Sequence, residues 1–178
     1  MRMMNKYLAI INFGLFQMVW FACVLGSARG YPWLGTLLLA CSLLWHFSQA
    51  SNKPQEVKWC LIAGLIGAAF DQVLLSSNII QYHNNGWSQS IVPVWIITLW
   101  IAFAMTLNVS MRWLRGQYAI ALLFGAIGGP LAYLGAEKIG AVTLTSNSLI
   151  ALGVGWSIVT VVFSSISTHY DGFERRYV

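Results

Sequence analysis

Residues 57–78 read VKWCLIAGLIGAAFDQVLLSSN, an apolar run in which, past Lys58 at its start, the single formal charge is Asp71. The run is long enough to cross the hydrocarbon core of a bilayer, which takes about 20 helical residues. A carboxylate at that depth is costly unless the fold supplies a partner or a proton. If Lys58 marks one membrane surface, a rise of about 1.5 Å per residue puts Asp71 roughly 20 Å above it, beyond the midplane of a core about 30 Å thick. The question for the rest of the chain is what else reaches that layer.

The whole composition supports a bilayer as solvent. The 178 residues are 58% hydrophobic and 8% charged, against about 25% charged in ordinary soluble domains. Nine Trp and seven Tyr suit many membrane–water crossings, where amphipathic rings settle at headgroup level. The net charge of +5 comes from Lys and Arg scattered singly between apolar runs, which excludes a basic nucleic-acid face. Cys23, Cys41 and Cys60 lie inside apolar segments without metal-ligand or redox spacing, so packing is their expected role. The first apolar run follows Arg2 and Lys6 and imitates a signal peptide, but it is too long for one and is expected to be a retained helix.

Six apolar segments follow from the pattern, at about 7–28, 32–49, 57–78, 92–114, 117–136 and 147–168, and each is expected to span. The predicted fold is all-α, a single transmembrane domain over residues 1–178 built as a six-helix bundle. The connections carry the breakers, among them Gly30 and Pro32, Pro54, Gly116 and Gly140. The longest, 76–91, has no Lys, Arg, Asp or Glu; it is expected to extend the third helix and then turn at Asn84-Asn85-Gly86. Arg2, Lys6, Lys53, Lys58, Arg112, Arg115, Arg175 and Arg176 fall on the side of the termini, with Arg29 and Lys138 opposite. That asymmetry predicts both termini in the cytoplasm.

Counting from the inner boundary of each helix places Gln17, Trp100 and Gly128-Gly129-Pro130 in the layer of Asp71, all about 16–22 Å up. Gly64, Gly67, Ala68, Asp71 and Leu75 share one face of the third helix, so the acid lies on a side that another helix can approach closely. Ala121, Gly125 and Gly129 repeat the same device on the fifth helix, where Pro130 frees a backbone carbonyl near Asp71's depth. That carbonyl could help hold a cation, a proton or a polar head, or the kink could serve packing alone. Gln17 could equally be interhelical glue, and Glu137 beside Lys138 reads as a solvated pair.

A second polar set, Asn12, His46, Thr106, Asn108, Ser110, Ser164, Ser165, Ser167, Thr168 and His169, lies in the inner half. His46 and His169 invite a bis-histidine haem, but both sit near the membrane surface and not deep in the bundle where paired ligands are wanted; no cofactor and no metal are expected. Asn108-Val109-Ser110 matches a glycosylation sequon inside a helix, a chance match. The sequence has no Gly-x-Ser-x-Gly elbow, no His-Glu-x-x-His, no phosphate loop and no cluster of acids for Mg²⁺, which argues against metalloproteolysis and prenyl transfer.

Four stretches, NFGLFQMVWFACVLG at 12–26, PVW at 93–95, LWIAFAMTL at 99–107 and GAIGGPLAY at 125–133, together with Asp71, resemble a family of small bacterial inner-membrane proteins classed as a domain of unknown function. The likeness covers nearly the whole chain, and Gly-Gly-Pro-Leu-Ala-Tyr is its most specific part. Members of that family stand beside genes for enzymes that modify unsaturated fatty acids, so the resemblance implies a lipid connection and a multi-pass protein of the bacterial inner membrane. It lends no established catalytic residue.

Three functional readings remain. The first is a polar pocket in the outer half, lined by Gln17, Trp95, Trp100, Gly129, Pro130 and Tyr133 around Asp71, that binds or processes a lipid or other amphipathic molecule; in an enzyme Asp71 would be the general acid or base. The ligand is expected between the third, fourth and fifth helices, with loop 76–91 over the opening. The second is a transport component, with Asn12 and Asn108 below and Gln17 and Asp71 above marking a route. The third is a structural subunit of a membrane complex, its protein partner unknown, in which Asp71 is merely satisfied. Membrane lipids are the expected partners; nucleic acid is not.

Overall fold

The computed structural model describes residues 6–173. Arg2, Arg175 and Arg176, used above to orient the chain, lie outside the described residues. The elements run α1 (Lys6–Ala28), α2 (Leu34–Gln49), α3 (Lys53–Ser76), β1 (Ile80–Tyr82), α4 (Val94–Leu107), α5 (Tyr118–Ile139), β2 (Val142–Leu144) and α6 (Ser148–Ile166), with a 3-10 turn at Arg112–Leu114.

The bundle is organised around α4, whose sequence VWIITLWIAFAMTL contains no charge and is buried over eleven of its fourteen residues. α3 packs along one side of it and α1 along another, α2 packs on α1, and α5 pairs along its length with α6. The small residues read on α3 receive α4: a Cβ on Gly64 would stand 3.1 Å from Ile101, and one on Gly67 2.1 Å from the Trp100 ring. Those read on α5 receive α6, since Gly125 and Gly129 would each meet Trp156 at 2.2 Å. The indoles of Trp100 and Trp156 stack at 4.5 Å and 19° between these two glycine faces, so the small residues make room for a ring pair at the centre of the bundle.

Helices α1, α3, α5 and α6 are long and apolar enough to cross a membrane. α2 and α4, with 16 and 14 residues, are shorter than the roughly 20 residues that a straight span needs. The segment read as a helix over 92–114 stops at Leu107, because Asn108 turns its side chain into a polar network and the chain goes on through turns and the 3-10 segment. The helix read from 57 begins earlier, at Lys53, with Pro54 in its first turn, where a missing N–H costs nothing.

The long connection after α3 is the main departure from the sequence reading. Instead of simply extending the helix it forms β1, paired antiparallel with β2 so that Gln81 lies opposite Thr143. The turn at Asn84-Asn85-Gly86 is present, with positive φ at Asn84 (50°) and Gly86 (84°), conformations that Asn and Gly tolerate best. The Asn85 amide donates to Ile91 O at 2.9 Å, Val92 N donates to Gln72 Oε1 at 2.8 Å, and Asn84 Nδ2 donates to Ser27 O at 2.7 Å. This connection is a pinned cap at what is here called the ribbon end of the bundle; the other end, with Lys53, Arg112 and Arg115, is the basic end.

Candidate functional site

Asp71 lies in the penultimate turn of α3, fully buried, and accepts three hydrogen bonds. Tyr82 Oη donates to Oδ1 and Trp100 Nε1 to Oδ2, each at 2.5 Å, and Tyr133 Oη also donates to Oδ1. The donors come from β1, α4 and α5. Buried carboxylates survive when hydrogen bonds replace water, and three donors on two oxygens leave the ionised form satisfied without a cation. At Tyr82, outside the helices, burial and then the Asp71 charge hold the phenol well above its ordinary range, so it stays a donor.

Two of the donors face the other way as well. Trp100 and Tyr133 line a groove of about 470 Å³, within the roughly 300–1,000 Å³ of small-molecule sites. α1 contributes Phe13, Gln17 and Trp20, α4 contributes Trp95 and Phe103, α5 contributes Gly129 and Ala132, and α6 contributes Trp156. Its rim is apolar and open, with Phe13 50% and Leu131 60% exposed, on a face where α1 and α5 are only loosely joined. In a membrane that opening faces acyl chains.

Gln17, Trp95, Trp100, Gly129 and Tyr133 from the sequence reading therefore come together in one groove. Asp71 and Pro130 do not line it. Trp100 and Tyr133 close over Asp71, so the cavity lies between α1, α4, α5 and Trp156, and not between α3, α4 and α5. Pro130 turns to α6, where a Cβ on Gly153 would stand 3.8 Å from its ring and 3.5 Å from the Ala126 carbonyl that it frees. Glu137, read as paired with Lys138, instead accepts from Leu144 N at 2.8 Å and anchors β2.

A second buried acid, Glu56, escaped the sequence reading. It is fully buried and bonds His46 Nε2 at 2.8 Å, Asn108 Nδ2 at 2.6 Å and Gly172 N at 2.7 Å. Asn108 Oδ1 accepts from Arg115, and Arg115 Nη1 reaches Asp171 at 2.8 Å beside Arg112. Burial pushes the Asp171 carboxyl up, but the hydrogen bonds from Arg112 and Arg115 outweigh it and hold the group below its ordinary value. Phe173 is buried 5.0 Å from the His46 ring, so residues 170–173 strap this network shut. The signal was in the spacing: His46 and Glu56 stand equally far from the turn at 50–52, which puts them level on neighbouring helices. Of the other inner polar residues, Asn12 accepts from Ser110 Oγ at 2.7 Å and donates to Met105 O at 3.3 Å, and His169 is exposed with local partners.

The chain belongs to the family described as Protein of unknown function (DUF2878), whose profile covers residues 9–162. It is also similar to the Probable potassium transport system protein Kup of Bordetella avium (strain 197N), at 29% identity over 98 residues, which are 54% of this chain and 14% of Kup. The chain thus matches about a seventh of that relative's length. No solved structure matches it.

Proposed function

We propose, for this member of a family without an assigned function, that the protein is a six-span protein of the bacterial inner membrane with both termini cytoplasmic, and that it holds a lipid or similar amphiphile in the α1–α4–α5 groove. The observation that carries this reading is an aromatic cavity, open sideways between two apolar helices, whose back wall is fixed by a buried carboxylate. An aliphatic chain loses little on leaving bilayer lipid for such a cavity, so selectivity must come from shape and from the few polar groups on its wall. Asp71 acts in this reading as a positioning residue: it touches Trp100 and Tyr133, which touch the ligand.

Ala132 is half-buried on the groove wall, and Ala132→Trp fills the cavity from the open side while keeping every Asp71 hydrogen-bond donor in the sequence. Native mass spectrometry of protein extracted in mild detergent is expected to retain one amphiphile on the wild type and to lose it in Ala132→Trp. Equal retention by both proteins would contradict the proposal.

Transport is the second reading, favoured by the partial likeness to a probable potassium transport protein. Against it, Asn12 is closed onto Ser110 and Asn108 onto Glu56, so the polar groups form separate clusters and not a route. Reconstituted liposomes are expected to show no solute flux with or without a pH gradient; flux abolished by Ala132→Trp would revive transport.

A further inference from the structure

The two ends of the groove are built differently. Gly128 and Gly135 stand about two turns apart on one face of α5. A Cβ on Gly135 would lie 3.4 Å from the Trp20 ring of α1, whereas one on Gly128, which lines the groove, would meet only Phe124 of its own helix. α1 and α5 thus converge toward the ribbon end and part toward the basic end. The ribbon holds the convergence: Ser27 Oγ, at the end of α1, donates to His83 O at 2.5 Å, and His83 N donates to Ala141 O, just past α5, at 2.9 Å. Toward the basic end the groove continues. Phe13, Met111 and Phe124 line it and also line a shallower depression of about 370 Å³ that runs on to Ala9, Ile10 and Trp113.

The ends also differ in what they offer a polar group. At the closed end Trp100 Nε1 and Tyr133 Oη are committed to Asp71, and the indole nitrogens of Trp95 and Trp156 are sealed beneath the surface. A head group placed there would lose its water and gain no partner. Gln17 stands on the exposed lip, so a chain can pass without covering its amide. At the open end Trp113 is 55% exposed, as suits an indole at headgroup level, and Lys6 is exposed about one turn before Ile10. On α1 the groove wall runs from Phe13 to Val24, about 16 Å of helix. That is close to half the core thickness, the depth that the chains of one leaflet fill.

We infer that the groove takes one acyl chain tail first, with its terminal methyl under Trp20 at the ribbon end and its head group left at the basic end beside Trp113. This rests on the groove being an amphiphile site and gives that site a direction. In the orientation proposed above, the ligand is drawn from the cytoplasmic leaflet, and selection falls on an unmodified tail and not on the head.

The test photo-crosslinks the full wild-type chain in detergent with two methyl stearates, one carrying a diazirine near the terminal methyl and one carrying it beside the ester. The tail probe is expected to mark Trp20, Val24 and Ala136 and to spare Ala9 and Trp113; the ester probe is expected to do the reverse. As competitors against the tail probe, methyl stearate bearing a hydroxyl on its last carbon is expected to be about tenfold weaker than methyl stearate, because that hydroxyl is buried unpaired. Stearyl alcohol, which changes only the head, is expected to stay within about threefold of the ester. A reversed pattern, two probes that mark both ends alike, or a terminal hydroxyl that costs no more than the change of head would overturn the inference while leaving the groove reading in place. If neither probe marks the groove above the level seen in Ala132→Trp, the groove reading fails and takes the inference with it.

Discussion

Asp71 and Glu56 lie on the same helix, 15 residues or about 22 Å apart, and neither has any exposed surface. Glu56 is set in a network of His46, Asn108, Arg115, Arg112 and Asp171 and covered by the strap at 170–173. Asp71 has only neutral donors, two of which form the wall of an open cavity. A buried acid tied through neighbouring side chains into an ion-paired network and covered by chain holds elements together. One surrounded by neutral donors next to unfilled space sets the field and the geometry of that space. Under the proposed function, the difference gives the basic end to fold integrity and the ribbon end to recognition.

The largest effect is expected from Glu56→Ala, which strips partners from His46, Asn108 and the Gly172 amide at once and should cost about 3–5 kcal/mol. Thermal unfolding in detergent measures it. A variant that stays within about 1 kcal/mol of wild type would erase the contrast drawn between the two acids.

Asp71→Asn should cost less, about 1–3 kcal/mol, because the amide keeps an acceptor for part of the donor set. Its larger consequence lies in the wall, and Gly67→Ala reaches the same wall by pushing on the Trp100 ring, at about 1–3 kcal/mol from overpacking. Both variants are expected to shift tryptophan emission and lower amphiphile retention in proportion. Retention unchanged in both would detach the Asp71 cluster from the groove.

Acid tests the basic end more gently. Asp171 is held below its ordinary value in the folded protein, so its stabilisation is complete above about pH 4, its unfolded range, and is lost as pH falls through the depressed value. Corrected for the intrinsic pH dependence of the chemistry, amide exchange at Gly172 and Phe173 should therefore be steady from about pH 8 to 5 and accelerate below about pH 4. In Asp171→Asn that extra acceleration should vanish, with weaker protection throughout. Smallest of all is the stability change of Ala132→Trp, within about 0.5 kcal/mol, since the new ring fills open groove; a large loss would mean that the groove is part of the core.

The same contrast explains what could be read without coordinates. Asp71 stood out because nothing near it in sequence is charged, and counting helix rise brought Gln17, Trp100 and Gly129 to its level. The small-residue faces of α3 and α5 were legible for the same reason, through helical spacing. Tyr82 was not, because its β1 strand is three residues long and its partner Val142 lies sixty residues on, beyond any local period. Glu56 was hidden by lying among Lys53, Pro54 and Lys58, where a charge looks like a solvated helix start. The groove's true walls depend on which face of α1 meets α4, and uniformly apolar helices carry little periodicity from which to read that.

The central claim is that an amphiphile lies between α1 and α5 and not on the outer lipid-facing surface. Photo-crosslinking with a diazirine-bearing acyl methyl ester in native membranes, followed by peptide mapping, tests it most directly. The account expects adducts concentrated on Phe13, Gln17, Ala132 and neighbouring groove positions, competed away by unlabelled ester and absent in Ala132→Trp. Adducts spread evenly over exposed apolar residues such as Leu65, Leu123 and Ile150, without competition, would contradict it.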